Sequence, residues 1–73
     1  MRAAEAELLA NALSPDQRTA FRVVVGREKY CREIPLSALI VLIELGLVRR
    51  DRDTNERELV LLTNRGRKVA QYL

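Results

Sequence analysis

Residues 34–51 read IPLSALIVLIELGLVRRD. The end of this stretch has a definite local grammar. Gly46 follows an apolar run and is placed to stop a helix in the left-handed conformation, with Leu47 packing back on the last turn. Leu47 to Asp51 then reads as a strand. The run before the glycine is stranger. Between Pro35 and Leu45 there is no Lys, Arg, Asn or Gln. The stop signal and the apolar spacing predict a helix over Pro35–Leu45, although Ile and Val lower its propensity. At about 100° per residue, Leu36, Leu39, Ile40 and Ile43 fall on one side, and Ala38, Val41, Leu42 and Leu45 on the other. A surface helix needs one apolar stripe; a helix that is apolar on both sides is buried or bound.

Downstream, Asp53-Thr54-Asn55-Glu56 reads as a turn. Arg57 to Leu62 reads as the return strand of a hairpin, with Leu59 and Leu61 on one face and Val60 and Leu62 on the other. Thr63 caps a last helix, on which Val69, Tyr72 and Leu73 share a side. Upstream, residues 3–13 (AAEAELLANAL) are strong helix formers with apolar residues spread widely round the helix. Ser14-Pro15-Asp16-Gln17 is a helix start, with Ser14 as cap, Pro15 at the first helical position and Gln17 closing a capping box. That helix runs to about Val25, with Phe21, Val24 and Val25 on one face, Ala20 beside them and Gly26 as terminator. Residues 27–34 leave room for a short helical turn, on which Glu28 and Arg32 would pair at i,i+4. The order is helix, helix, short turn, helix, hairpin, helix: a mainly α fold with one β-hairpin.

The chain has 73 residues, which implies one domain. A hydrophobic content of 48% is ordinary for a globular fold. The single cysteine, Cys31, excludes an internal disulfide framework and points to a reducing compartment. No apolar run approaches the roughly 20 residues of a membrane span, and the first residues carry acids inside their apolar stretch, so no signal peptide is expected. The expected location is the cytoplasm.

Net charge is +3, and its distribution is uneven. Residues 1–46 carry six basic and six acidic side chains, whereas residues 47–73 carry seven basic and four acidic ones. The seven are Arg49, Arg50, Arg52, Arg57, Arg65, Arg67 and Lys68. Such an excess suits a polyanion or an acidic protein surface, and it also suits a solvated face. On the hairpin, the arginines alternate with Asp51, Asp53, Glu56 and Glu58, which allows cross-strand pairing as well as phosphate contact. Arg65, Arg67 and Lys68 stand early in the last helix, where they oppose the helix dipole; anions held jointly with the free amides would repay that placement.

The order of elements and several strings resemble winged-helix transcription regulators of the MarR type. LSPDQRTAF resembles the start of their first core helix, LIELGLVRRD the end of the recognition helix and first wing strand, and LVLLTNRGRKVA the second wing strand and closing helix. The likeness covers residues 13 to 70. It implies a winged-helix-like fold and a DNA-binding role with a basic wing. Two departures stand out. Residues 26–34 hold about two helical turns at most, so the helix-turn-helix is truncated. The positions that the family turns to the DNA groove map onto Leu36, Ser37, Ile40 and Val41, and base readout needs donors and acceptors at groove edges.

The second apolar face of this helix has two readings. Either residues 3–13 cover it, or Leu36, Ile40 and Ile43 stay open and bind a protein partner or a second copy. Enzyme chemistry has no signature here. There is no His, Cys31 has Lys29 and Arg32 nearby but no completing partner, and three scattered glycines make no phosphate loop, so no cofactor or metal is expected. Tyr30 and Tyr72 read as core or rim residues, because aromatics make up only 4% of the chain and a base-stacking platform needs more. In size, scaffold and Ala/Arg-rich composition the chain also resembles the small RNA-polymerase-binding inhibitors and antiterminators of lytic phages. The expected function is transcription regulation by contact with RNA polymerase or an associated factor, by a monomer or weak homodimer. The alternative is a DNA-binding winged-helix repressor that uses its basic wing.

Overall fold

The computed structural model describes residues 1–27 and 29–73. Among these, the helices are α1 (Ala3–Ala12), α2 (Pro15–Gly26), α3 (Leu36–Glu44) and α4 (Asn64–Ala70). Strands β1 (Lys29–Tyr30), β2 (Val48–Arg52) and β3 (Glu58–Leu62) form an antiparallel sheet in the order β1-β3-β2. The fold is mainly helical with one β-hairpin, in the expected order of helix, helix, helix, hairpin, helix.

Strand β1 is an addition to that order. It pairs Lys29 with Val60 and Tyr30 with Leu59. Two residues are too few to show strand alternation in a sequence. A 3-10 turn at Cys31–Glu33 follows, and Glu33 Oε2 accepts from the Tyr30 backbone N–H at 3.0 Å. Among the described residues this one turn is the only helix between α2 and α3, within the two turns at most that the segment allows. The anticipated Glu28–Arg32 pair includes Glu28, which lies outside the described residues.

The start of α2 follows its sequence signature. Ser14 Oγ accepts from the Gln17 N–H at 3.2 Å, and Gln17 Oε1 accepts from the Ser14 N–H at 3.0 Å. Its end does not. Gly26 is the last helical residue rather than a left-handed stop, and the chain leaves through Arg27 in extended conformation (φ −173°). Ala20, Phe21 and Val24 are buried, whereas Val25 is exposed. The buried stripe runs i, i+1, i+4 from Ala20, and Val25 sits about 100° beyond Val24.

Helix α3 does end on a left-handed glycine. Gly46 has φ 75°. Its N–H donates to the Ile43 carbonyl at 2.9 Å, and the Leu47 N–H donates to Leu42 at 3.0 Å. These two bonds are the Schellman pattern, and the accompanying apolar pair, Leu42 and Leu47, is fully buried. Phe21, Val48, Val60 and Val69 complete the set of largest buried side chains, so the core lies between α2, α3, the hairpin and α4.

Helix α1 does not cover α3. It packs on α4, with Ala6 and Ala10 both 1% exposed, and Arg18 from α2 donates to the Ala10 carbonyl at 3.1 Å. The two alanines at i,i+4 give α1 a narrow flat stripe that seats closely, while Leu8 points away at 69% exposure. The reading in which residues 3–13 bury Leu36, Ile40 and Ile43 is therefore overturned. On α4 itself Val69 is buried and Leu73 half-buried, but Tyr72 is exposed. No helix among the described residues is long and apolar enough to cross a membrane.

Candidate protein-contact site

Helix α3 turns Ala38, Leu39 and Leu42 into the core. That choice of face leaves Leu36 at 70% and Ile40 at 46% exposure, with Ile43 half-buried and Ser37 exposed. Of the outward residues of α3 only Ser37 and, at its last position, Glu44 carry hydrogen-bonding side chains. Leu36, Ile40 and Ile43 form one wall of a groove of about 410 Å³ between α3, the 3-10 turn and the hairpin, and Arg32, Arg50 and Glu58 stand across from them. The groove has an apolar wall and a polar rim, the anatomy of a protein-binding surface.

The hairpin arginines are each held by a neighbouring carboxylate. Arg49 pairs with Asp51 at 3.1 Å, Arg50 with Glu58, Arg52 with Glu56 at 3.4 Å, and Arg57 with Asp53 at 3.1 Å. Four cations thus meet four anions on the same hairpin. Glu58 raises the Arg50 pKa above its ordinary value through its hydrogen bond and charge. The Asp51 carboxyl is held below its ordinary value by the Arg52 backbone N–H and by the Arg49 side chain.

Asp53 organises the hairpin turn. Its Oδ1 accepts from the backbone N–H groups of Arg57 at 2.9 Å and Asn55 at 2.8 Å, and its Oδ2 accepts from Arg57 Nε at 3.1 Å and the Tyr30 hydroxyl at 3.4 Å. The Arg57 N–H, followed by that of Asn55 and the Arg57 charge, lowers its pKa. The Glu56 N–H donates to the Asp53 carbonyl at 3.0 Å, and Glu56 itself has φ 63°. A tight turn closed by an i,i+3 bond and followed by a left-handed residue is a common plan for a three-residue hairpin loop. The Tyr30 ring lies 4.7 Å from the Arg57 guanidinium carbon and 5.7 Å from that of Arg32, which ties β1 to the tip of the hairpin. Tyr30 is thus at the rim and engaged. Cys31 beside it is half-buried, with Sγ 3.8 Å from the Leu59 carbonyl oxygen.

The remaining basic residues lie on α4. Arg65, Arg67 and Lys68 are exposed, and Arg67 donates to Asn64 Oδ1 at 2.7 Å. The helix amides anticipated for an anion are partly used: Thr63 Oγ1 accepts from the Gly66 N–H at 2.9 Å. The seven basic residues therefore form no single patch. Arg50 faces the α3 groove, whereas Arg49 lies on the opposite face of the hairpin with Leu61 and Arg67. Arg27 joins these two, a position that sequence spacing does not signal. Among the described residues no group of three His, Cys, Asp or Glu side chains is placed to hold a metal ion. No protein family, curated protein or solved structure matches the chain.

Proposed function

We propose that the chain is a small transcription regulator of winged-helix style that works mainly by protein contact, with RNA polymerase or a factor bound to it, as an inhibitor or antiterminator. Its place of action would be the cytoplasm, that of the host cell if the protein is phage-encoded. The observation that carries this reading is the open Leu36–Ile40–Ile43 face of α3. In the resemblance to winged-helix regulators this helix would stand where they carry a recognition helix, but it offers apolar surface where base readout needs donors and acceptors.

The test is capture of purified bacterial RNA polymerase at micromolar protein and low salt, with the wild-type chain and with a Leu36→Glu/Ile40→Glu double variant. Both positions are exposed, so the variant is expected to fold normally and to lose capture. Absence of polymerase binding by the wild type sinks the proposal. So does capture that survives the double variant. Sequence-selective binding to duplex DNA in place of polymerase would instead support the repressor reading.

A further inference from the structure

A second surface lies on the other side of the hairpin and owes nothing to the α3 groove. The end of α2, the outer face of β2 and β3, and α4 enclose a cleft of about 370 Å³. Its apolar side chains are Val24, Val25, Leu61 and Leu62, and its charged ones are Arg27, Arg49 and Arg67. Three separate segments thus each bring an arginine to one depression in which Val25 is exposed and Leu61 and Leu62 are half-buried, and none of the described lining side chains is acidic. The size falls within the range of small-ligand and peptide subsites.

We infer that this cleft is a binding site for an acidic peptide segment that carries an aliphatic side chain. Guanidinium groups match carboxylates in a planar, two-point geometry, and three of them around the rim select for anions. The apolar side chains between them select further. A valine or leucine side chain seated against the exposed Val25 and the half-buried Leu61 and Leu62 leaves water, a gain that a phosphate backbone does not provide. The cleft has no aromatic side chain on which a base could stack.

The rim arginines are available for exchange. Arg49 is bound to Asp51 at 3.1 Å, but both side chains are about half exposed (59% and 49%), so an incoming carboxylate competes with a weak pair. Arg67 gives one N–H to Asn64 Oδ1 and keeps the rest of its fork. The cleft also explains the exposed Val25, which the core does not use.

The experiment uses the full chain and a fluorescein-labelled peptide of Asp and Glu interrupted by two leucines. An oligo-glutamate of equal length and a mixed-sequence DNA duplex are the comparison probes. Binding is read by anisotropy at low salt, and its place by backbone amide shifts. The leucine-bearing peptide is expected to bind roughly tenfold tighter than oligo-glutamate, a difference of about 1.4 kcal/mol. Amide shifts are expected at Val25, Leu61 and Arg67 and not at Ile40. An Arg27→Gln/Arg67→Gln variant should weaken binding roughly tenfold, Val25→Gln should remove the preference for leucine, and Ile40→Glu should change neither.

Equal affinity for oligo-glutamate overturns the proposal, because the apolar side chains would then contribute nothing. Tighter binding of the duplex at the same amides overturns it in favour of nucleic acid. Shifts confined to α3, or no binding up to millimolar peptide, also overturn it. The amide map of the wild-type chain decides the location even if a variant fails to fold. Loss of polymerase capture in the α3 variant has no bearing on any of these outcomes.

Discussion

The Thr63 hydroxyl donates to the Gly46 carbonyl at 2.6 Å, across 17 positions of chain. The Thr63 N–H donates to the next carbonyl, Leu47, at 3.1 Å, and the same hydroxyl accepts from the Gly66 N–H. One residue thus closes the end of α3, the start of β2 and the start of α4 on each other. Gly66 completes the junction by having no side chain: a Cβ there would lie 2.0 Å from the Leu47 carbonyl oxygen. The strings GLVRRD and LTNRG stand far apart in sequence but form one structural unit.

Thr63→Ala removes the cap and the link together. It is expected to cost about 2 kcal/mol in denaturant unfolding, with Thr63→Ser recovering most of the loss. Gly66→Ala should cost more than that. The sign is informative, because the same change in an exposed helix interior stabilises by about 1 kcal/mol. A neutral or stabilising Gly66→Ala would mean that α4 does not sit this close to Leu47.

The hairpin loop holds a removable strain. Glu56 adopts φ 63°, where a Cβ crowds the backbone, and its ion pair with Arg52 is largely exposed (82% and 65%). Glu56→Gly is expected to raise stability by on the order of 0.5–1 kcal/mol, since the relieved strain outweighs a weak surface pair and the added freedom of the unfolded chain. Thermal unfolding with and without the substitution measures it. A lower midpoint would show that the Arg52–Glu56 pair matters more than the backbone.

Asp53 should make the stability depend on acid pH. Its folded pKa is depressed below the ordinary value of 3.8, chiefly by the Arg57 N–H. A carboxylate with a depressed folded pKa contributes stability that is present above its unfolded value and is lost as pH falls through the folded one. The wild-type chain should therefore lead Asp53→Asn by a constant margin near neutrality. That margin should shrink below about pH 4, where the unfolded carboxyl begins to protonate. Asp51 acts in the same direction, so the variant keeps part of the acid dependence. Parallel unfolding curves for both proteins from neutral to acid pH would contradict the role assigned to Asp53.

What was legible in the sequence was local. The Ser14–Gln17 capping box, the Gly46 stop and the hairpin each lie within a few residues, and each formed as its chemistry requires. The less legible features depend on distant packing. An Ala-rich helix with apolar residues all round does not announce which stripe it will bury, so the seating of α1 on α4 through Ala6 and Ala10 was hidden. Strand β1 exists because β3 offers an edge to Tyr30 and Lys29, not because two residues carry a period. On the hairpin, alternating charges are compatible with paired and with free arginines. Only the folded loop, which brings Asp53 to Arg57 and Glu58 to Arg50, decides between them. The cleft of Arg27, Arg49 and Arg67 draws on three elements and has no local signature at all.

Charge pairing on the hairpin sets a limit on DNA binding that a salt titration can read. Each cation that neutralises a phosphate releases counterions, so the observed constant falls with salt at a slope of about −0.9 per contact. If the four hairpin arginines stay with their carboxylates, the basic residues left from the C-terminal third are Arg65, Arg67 and Lys68. The C-terminal third should then contribute no more than about −3 to the slope of any duplex binding between roughly 50 and 200 mM salt. A repressor that used all seven basic residues would show about −6. The two cases also differ in their variants. Arg49→Ala/Arg50→Ala should leave a shallow slope unchanged, because those side chains were already occupied, whereas Arg65→Gln/Lys68→Gln should flatten it further. A steep slope that the Arg49/Arg50 variant reduces would mean that DNA outcompetes Asp51 and Glu58 for these arginines, and the hairpin would then be a phosphate-binding element after all.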